Sequence, residues 1–320
     1  MPSRTIGGVA SLTGHLAKPS NPVRMFLMAV LRASEAKPFQ DALKQALNSG
    51  PRVAGTTLLP WEHALIGTAF DYRARYSFAI TPANKLVAGL GVSKIPMYFV
   101  NEDDGGFELF MGCQKFTQDV DASITRLKPI ARRLERTDEE NLARHCVVLA
   151  LLEQVARVGL RPGSPLLARP LACGTRELLE LARPDWVADL REMAWLFDDC
   201  ATRERLYGRP AVLNPTFAGS SDVHGADADL IVDGCLIEIK STIQTTIREP
   251  VFHQLLGYVL LDYPDHYHIN SIGVYLSRHG VLLKWPLAEA LGERGEPAGL
   301  GTLRREFRRL LRSPLALSPA

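Results

Sequence analysis

Hydrophobic residues follow a helical spacing over roughly the first two thirds of the chain. After Pro60, which suits the first turn of a helix, apolar residues recur four positions apart at Leu65 and Ala69. Thr137 is followed three positions later by Glu140, which is the spacing of a capping box and predicts that a helix begins there. The same spacing predicts helices over residues 22–48, over 117–159 as a pair, and over 174–183 and 184–199.

Short apolar runs between turn residues replace this pattern after residue 210. Runs at Ile272–Ser277 and Val281–Trp285 predict two strands that follow a helix. An earlier pair of runs, at 97–100 and 107–110, flanks a turn-rich stretch and predicts a β-hairpin. Strands mixed with helices favour an α/β fold class for the later part of the chain.

Three segments follow from this change of pattern. Residues 1–205 are predicted to form a mostly helical N-terminal region that can contribute to a site, residues 206–290 an α/β core, and residues 291–320 a basic C-terminal helix. Such a basic helix presents either a solvated face or a face that contacts phosphate. Its arginines are Arg304, Arg305, Arg308, Arg309 and Arg312.

Composition restricts the function without identifying it. The net charge of +2 means that any surface for nucleic acid must be a local patch, and the excess of arginine over lysine suits phosphate or reflects a GC-rich genome. The cysteines at 113, 146, 173, 200 and 235 include no close pair, which excludes a zinc ribbon. The opening residues lack the apolar block of a secretory signal, and the longest apolar run, Cys146–Leu152, is too short to cross a bilayer. A reducing cytoplasm is therefore expected, with no membrane partner.

The segment from Gly225 to Ser241 contains the most informative pattern in the chain. Asp233-Gly234 stands between two apolar runs, as in a two-residue hairpin turn whose central positions both need positive φ. With such a turn, Val232 faces Cys235, and one face of the hairpin is wholly apolar and enters the core. That face consists of Leu230, Val232, Cys235, Ile237 and Ile239.

The other face of this predicted hairpin carries four charged residues. Stepping outward from the turn sets Asp229 opposite Glu238 and Asp227 opposite Lys240, all on one face because side chains alternate along a strand. Directly opposed residues have Cβ atoms only ~5 Å apart, so the two opposed carboxylates repel each other unless a cation lies between them. The alternative interpretation is an exposed hairpin whose acids and lysine form an ordinary salt bridge.

Two acids and a lysine in this arrangement suit the hydrolysis of a phosphodiester. Asp229 and Glu238, with the backbone carbonyl of Ile239, offer the oxygen ligands that Mg²⁺ prefers, and Mn²⁺ is the expected substitute. Lys240 can orient or deprotonate the attacking water, or stabilise the negative charge that develops on the phosphate. Asp227 is a further candidate ligand.

These residues and a motif on the following helix resemble the PD-(D/E)XK nuclease superfamily, its RecB-type branch in particular. The matching residues are Asp229, Glu238-Ile-Lys240 and Gln254-Leu-Leu-Gly-Tyr258, within a resemblance that covers about residues 210–285. The resemblance implies a restriction-endonuclease-like core with a four-stranded mixed sheet flanked by helices. It also implies that Gln254 and Tyr258, which share one helix face, contact the substrate strand and buttress the site.

The upstream metal ligand of that branch has no direct match here. RecB-type relatives carry Gly-x-x-x-His, and the nearest sequence is Gly67-Thr-Ala-Phe-Asp71, which has Asp71 in the ligand position. An aspartate is as natural a ligand for Mg²⁺ or Mn²⁺ as a histidine. Glu153 and Glu192, on later predicted helices, are rival acidic ligands. The cysteine set of the iron–sulfur members is missing, so no iron–sulfur cluster is expected.

The sequence therefore predicts a divalent-metal-dependent deoxyribonuclease that acts on nucleic acid. DNA is favoured over RNA through the resemblance alone, and the Gln-x-x-x-Tyr motif favours the exonuclease-like branch over internal cleavage. The alternative from another class is a nucleic-acid-binding or assembly module that keeps the nuclease fold without turnover.

Overall fold

The computed structural model describes residues 11–49, 53, 59–99, 105–168, 174–242 and 249–313. No helix within those residues is long and apolar enough to span a lipid bilayer. Helices dominate the chain before residue 205, as the hydrophobic spacing predicts. The α-helices are α1 Leu12–Ala17, α2 Pro22–Val30, α3 Ala33–Ser49, α4 Pro60–Tyr76, α5 Val87–Lys94, α6 Gly106–Leu127, α7 Arg136–Val158, α8 Thr175–Glu180, α9 Pro184–Arg203, α10 Glu249–Leu261, α11 Leu287–Leu291 and α12 Pro297–Leu311.

A mixed five-stranded sheet forms the centre of the C-terminal part. Its strands, in spatial order, are β1 Ala211–Leu213, β2 Leu230–Val232, β3 Cys235–Lys240, β4 Ser271–Leu276 and β5 Val281–Pro286. Neighbouring strands are antiparallel except for β3 and β4, which are parallel and joined through α10.

The α/β class and the mixed sheet are confirmed, whereas the prediction of four strands is wrong. The additional strand is β1, whose three residues pair with β2 from Ala211 opposite Val232 to Leu213 opposite Leu230. Three residues are too few to show an alternation of apolar and polar positions, so this strand is defined only by its pairing partner.

Helices cover both faces of the sheet and create two hydrophobic cores. On one face, Leu230, Ile237 and Tyr275 pack with helices α4 to α9. On the other face, Ile231 and Leu236 pack with α1 to α3 and α10 to α12. Each fully buried Leu or Ile contributes roughly 1.5–3 kcal/mol relative to an exposed one. Both cores therefore join residues from before and after position 205, and α12 belongs to the second of them.

The predicted hairpin at 97–110 is wrong for the residues that the structure describes. Ile95–Tyr98 forms a 3₁₀ turn, and residues 107–110 belong to the first turn of α6, while residues 100–104 lie outside the described residues. The helical spacing becomes clear only further along, where Leu109 begins a buried series with steps of three and four residues. That series continues through Cys113, Phe116, Val120 and Ile124.

Two predicted helix boundaries also need correction. The helix predicted over 22–48 is divided into α2 and α3, because the Glu35 carboxylate accepts a hydrogen bond from the Arg32 N–H at 2.7 Å and begins a new helix. The helix predicted to begin at Thr137 begins one residue earlier, and the capping box is absent: Glu140 pairs instead with Arg136 at 2.9 Å.

A buried ion cluster fixes α4 against α7 and α9. The guanidinium of Arg73 on α4 lies 2.6 Å from Glu139 on α7 and 2.8 Å from Asp198 on α9, and all three side chains are buried. Ser77, one turn along α4, accepts a further hydrogen bond from Arg73. Because two carboxylates share one guanidinium, removal of Arg73 leaves two uncompensated buried charges.

Arg73→Met is expected to lower the free energy of unfolding by about 3–5 kcal/mol, the usual cost of removing one partner of a buried ion pair. Urea unfolding monitored by circular dichroism measures this change. Arg133→Met is the matched control, because Arg133 and Asp199 form an ion pair in which both side chains are about half exposed. A loss no larger for Arg73→Met than for the control would contradict a stabilising role of the cluster.

The arginines of α12 are mostly engaged within the molecule. Arg304 is buried, lies 2.8 Å from Asp265 and donates a hydrogen bond to the carbonyl of Val259. Arg308 lies over the ring of Tyr263, and Arg312 forms an ion pair with Asp222. These contacts dock α12 onto the second core, so a continuous phosphate-contacting face along this helix is disfavoured.

Candidate active site

The β2–β3 hairpin has the geometry that its sequence predicts. Asp233 and Gly234 both have positive φ, at 50° and 75°, as the two central positions of this turn require. Val232 pairs with Cys235, and the ladder continues to Leu230 opposite Ile237. The predicted register is therefore confirmed across the whole of β2.

Asp229 and Asp227 precede β2 and are not paired with β3, and each has its own contacts. The Asp229 carboxylate accepts a hydrogen bond from the backbone N–H of Ile239 at 2.7 Å, which holds it beside the end of β3. Asp227 pairs with Thr216 rather than with Lys240, and its carboxylate lies 3.5 Å from Arg157. The predicted pairing of Asp227 with Lys240 is wrong, because the chain turns from β3 towards the β1 side of the sheet.

Glu238 and Lys240 form the centre of the site on β3. Glu238 is buried, and its Oε1 lies 2.6 Å from the half-buried Lys240 Nζ. The same oxygen accepts a hydrogen bond from Gln254 Nε2 at 3.2 Å, while Oε2 is buried without a hydrogen-bond partner in the described residues. An exposed hairpin with an ordinary salt bridge is therefore excluded for Glu238.

The Gln-x-x-x-Tyr motif on α10 supports Glu238 from the neighbouring helix. Gln254 Nε2 also donates to the Tyr258 hydroxyl at 2.8 Å, and the Tyr258 ring stacks on Phe217 at a centroid distance of 5.5 Å. Tyr258 is buried, so it holds Gln254 in place. This arrangement provides the buttressing implied by the resemblance, and substrate contact by Gln254 and Tyr258 stays a prediction.

Helix α4 brings Asp71 to the same site. Gly67, one turn earlier, lies against Ser241 directly after β3, with 3.9 Å between an ideal Cβ on Gly67 and the Cβ of Ser241. Asp71 is half-buried and close enough to Asp229 and Glu238 for their charges to shift its pKa. Of the candidate upstream acids, Asp71 is therefore the one that joins Asp229 and Glu238 most directly.

The two rival upstream acids have different positions. Glu153 on α7 is buried beside the site, where it accepts hydrogen bonds from the Tyr72 hydroxyl at 2.6 Å and from Arg157 at 2.7 Å. Glu192 on α9 instead pairs with Arg191 at 2.7 Å, and among the described residues no hydrogen bond or ion pair joins it to the hairpin. Glu153 is thus occupied by its own partners, and Glu192 is not brought to the site.

Burial and neighbouring carboxylates raise the pKa of two acids of the site, Asp229 and Asp71. Burial raises the pKa of Asp229 to about 7, and the Glu238 carboxylate adds to the effect despite the hydrogen bond from Ile239. Burial also raises the pKa of Asp71 well above its usual range, with Asp229 as the strongest like-charged neighbour. Close carboxylates in a partly desolvated site favour either protonation or a bound cation.

Lys240 is shifted towards its charged form. Burial by itself lowers the pKa of Lys240, but the carboxylates of Glu238, Asp229 and Asp71 together outweigh burial and raise this pKa. In the absence of a metal, Lys240 is therefore protonated at neutral pH. A protonated lysine donates hydrogen bonds and stabilises negative charge, and it cannot accept a proton.

The donors suit a divalent cation although they do not form a complete coordination shell. In the described part of the chain, no group of three or more His, Cys, Asp or Glu side chains is placed to hold a metal ion. Mg²⁺ keeps several waters and is often bound by one or two carboxylates plus substrate phosphates, so Asp229 and Glu238 satisfy its needs. The buried Oε2 of Glu238, which lacks a partner, is a position that a cation would stabilise.

Two arginines near the site were not anticipated from the sequence. Arg75 lies one helical turn after Asp71, packs over the Tyr72 ring at 4.7 Å, and its charge opposes the rise in the pKa of Asp71. It lines a polar cavity of about 200 Å³ together with Lys85. Arg157 bridges Glu153 and Asp227. The sequence could have indicated Arg75, because it lies four residues after Asp71 and residues four apart are neighbours on a helix.

The described cysteines belong to the first hydrophobic core. Cys113, Cys146, Cys200 and Cys235 are all buried and free, and Cys173 lies outside the described residues. Burial raises the pKa of each of these four thiols. Neutral buried thiols pack as small apolar groups.

The chain was compared with protein-family models, with curated proteins and with solved structures, and none of the three comparisons found a match.

Proposed function

We propose that this chain is a divalent-metal-dependent nuclease with a restriction-endonuclease-like core of the PD-(D/E)XK kind. The observation that carries the proposal is the clustering of Asp71, Asp229 and Glu238 around the end of β3, where burial and mutual repulsion raise the pKa of Asp71 and Asp229. Lys240 stands in the same cluster at 2.6 Å from Glu238. A fold tolerates such crowding of acids where a cation is bound, and perturbed acids in a cleft are typical of functional sites.

Asp229 and Glu238 would hold Mg²⁺ or Mn²⁺, together with the carbonyl of Ile239. Asp71 takes the place of the histidine of RecB-type relatives beside them, but the three acids form no ready-made three-ligand group, so water and a substrate phosphate would complete the shell. When bound, such an ion supplies positive charge to the scissile phosphate. The cavity lined by Arg75, one helical turn after Asp71, and by Lys85 is suited to a phosphate group, because both side chains are cationic donors.

Lys240 has the role of an electrostatic stabiliser in this proposal. Its raised pKa favours hydrogen-bond donation to the attacking water and to the phosphate over removal of a proton. Gln254 keeps Glu238 oriented, since it donates to the same Oε1 that Lys240 contacts. Because both contacts are made to Oε1, Oε2 of Glu238 has no hydrogen-bond partner among the described residues and is available to bind the cation.

DNA is the proposed substrate, cleaved from an end, and both choices rest on the resemblance to the RecB-type branch. A cytoplasmic location is proposed as well, because four buried free thiols suit a reducing compartment.

The direct test is a cleavage time course on linear and circular DNA, single- and double-stranded, and on RNA, with Mg²⁺, Mn²⁺ or EDTA. Cleavage that needs a divalent ion and is lost in Glu238→Gln is the expected result. Circular DNA that resists cleavage would support the exonuclease-like branch. Cleavage that is unchanged in Glu238→Gln would contradict the proposed site.

Mg²⁺ or Mn²⁺ is expected to raise the melting temperature of the wild type, because an ion that binds only the folded state stabilises it by about 2.7 kcal/mol at a hundred times its Kd. Glu238→Gln should abolish the rise, since glutamine keeps the shape of the side chain but loses its charge. Differential scanning calorimetry measures both.

Glu204→Gln is the matched control for this measurement, because Glu204 pairs with Lys284 at 2.9 Å much as Glu238 pairs with Lys240. The control should keep the full metal-induced rise. An equal rise in Glu238→Gln would mean that the ion binds elsewhere.

A further inference from the structure

A cavity of about 480 Å³ with Trp61 in its wall opens beside the cluster formed by Asp71, Asp229 and Glu238. Helices α4 and α7 form its walls, and the segment that follows α7, residues 159–165, closes one end. Its volume is within the range of ~300–1,000 Å³ that is typical of small-molecule sites. The cavity shares Glu153 with the surroundings of the proposed metal site.

The cavity has an exposed apolar lining. Trp61 is 40% exposed, and Val158, across the cavity on α7, is 52% exposed. The Trp61 and Trp186 rings are nearly perpendicular at a centroid distance of 5.8 Å, so Trp186 supports Trp61. A tryptophan that is supported by a neighbouring ring and left partly accessible is suited to stacking with a planar ligand.

Two arginines give the cavity a cationic rim. The Arg157 side chain is 53% exposed, and Arg161 is exposed as well. Among the described residues, the only hydrogen bond of the Arg161 side chain is from Nε to the carbonyl of Val158 at 3.3 Å. An aromatic wall together with arginines matches the two parts of a nucleotide, a flat base and an anionic phosphate.

The cavity and the acidic cluster of Asp71, Asp229 and Glu238 are neighbours, because Glu153 lies beside both. Glu153 accepts hydrogen bonds from Arg157 on the cavity side and from Tyr72 on the side of Asp71. Thr68, which lines the cavity, lies one helical turn before Tyr72 on the same helix. Arg157, on the rim of the cavity, also lies 3.5 Å from Asp227, two residues before Asp229, so a strand whose phosphate lies at Asp229 and Glu238 would pass close to the cavity.

We infer that this cavity binds one unpaired nucleotide of the substrate strand, with its base against Trp61 and a phosphate at Arg161. The inference rests on the proposed nuclease function and adds a substrate class to it: single-stranded nucleic acid, or a duplex end that has opened. A base inside a duplex cannot stack on Trp61, because both of its faces are already covered by neighbouring base pairs.

The test is binding of fluorescein-labelled 12-nucleotide strands, deoxyribo and ribo, to the full chain in EDTA, measured by fluorescence anisotropy. One set of strands has a single base removed at each position in turn. Removal of one particular base should weaken wild-type binding by about tenfold to hundredfold, the usual effect of losing one base–aromatic stack. The Trp61→Ala variant should bind the intact strand more weakly than the wild type by a similar factor. It should also bind the intact and abasic strands with equal affinity. Trp61→Phe should retain most of the affinity.

Phe107→Ala is the matched control, because Phe107 is an aromatic residue that is 67% exposed and does not line the cavity. Arg161→Ala provides a second variant that does not disturb the Trp61–Trp186 packing, and it should weaken binding of intact and abasic strands alike. Thermal melting confirms that each variant is folded.

The outcomes separate this inference from the proposed function. If the wild type cleaves DNA with Mg²⁺ but binds intact and abasic strands equally, the cavity inference is overturned and the nuclease stands. If binding depends on Trp61 and on one base, yet no metal supports cleavage, the cavity inference stands and the nuclease proposal falls. A wild type that binds neither single-stranded DNA nor RNA, or a Trp61→Ala variant that binds like Phe107→Ala, overturns the cavity inference.

Discussion

Asp229→Asn is expected to reduce metal-dependent cleavage of DNA by about 10³-fold or more while the chain stays folded. Asparagine keeps an oxygen that accepts the hydrogen bond from the Ile239 N–H, so the contact at 2.7 Å can persist. The substitution removes one negative charge from the proposed metal site. A bound metal ion stabilises the transition state by several kcal/mol. Each 1.36 kcal/mol of lost stabilisation lowers the rate tenfold. Initial rates over a range of Mg²⁺ concentrations measure the loss and separate kcat from metal affinity.

Asp233→Asn is the matched control for this variant. Asp233 lies on the same hairpin, at its turn, where it is exposed and pairs with Arg209 at 3.2 Å. Asparagine tolerates the positive φ of that position. Cleavage should be unchanged in the control, and a comparable loss in both variants would mean that hairpin stability rather than the Asp229 charge is being measured.

The same Asp229→Asn variant should be more stable than the wild type in EDTA at pH 8. The pKa of Asp229 is raised to about 7 in the folded chain, whereas an unfolded aspartate titrates near 4, so the folded state loses stability as the pH rises between these values. Asparagine removes this loss, which is on the order of 1 kcal/mol for a group with partial access to water. The gain should disappear as the pH falls towards 4, and a gain that is independent of pH would contradict this origin.

Lys240→Ala is expected to lower kcat by about 10²–10³-fold with a smaller change in metal affinity. The lysine contributes positive charge where negative charge develops, and removal of one such group costs this much in other hydrolytic sites. Its raised pKa means that the charge is present throughout the neutral range. Single-turnover cleavage at saturating Mg²⁺ isolates the chemical step.

Lys284→Ala is the control for Lys240→Ala, since Lys284 on β5 is a partly exposed lysine that pairs with Glu204. Lys240→Arg keeps the charge but changes the geometry of the donors, and it should retain part of the activity. Equal cleavage by wild type and Lys240→Ala would remove Lys240 from the proposed mechanism.

A wild type that binds DNA without cleaving any substrate would favour the binding or assembly module instead. The absence of a ready-made three-ligand group among the described residues is compatible with that outcome as well as with a Mg²⁺ site completed by water and substrate. Metal-induced stabilisation discriminates between the two, because a module without turnover has no need of an ion at Asp229 and Glu238.

The sequence by itself determined the hairpin, its register and the position of Glu238 and Lys240 on one strand. These features depend on local rules: the Asp233-Gly234 turn specifies which residues face each other, and a one-residue slip would place every apolar side chain on the wrong face. The spacing of Gln254 and Tyr258 on one helix face is local in the same sense.

Only the tertiary structure decided which distant elements meet this hairpin. The choice of Asp71 over Glu192 depends on how α4 packs against the end of β3, and the fifth strand exists through its pairing with β2. The ladder also ends before Asp227, which pairs with Thr216. Such contacts join residues far apart in the chain, so no spacing encodes them. They follow from the packing of two cores on opposite faces of one sheet, where burial and side-chain shape select the partners.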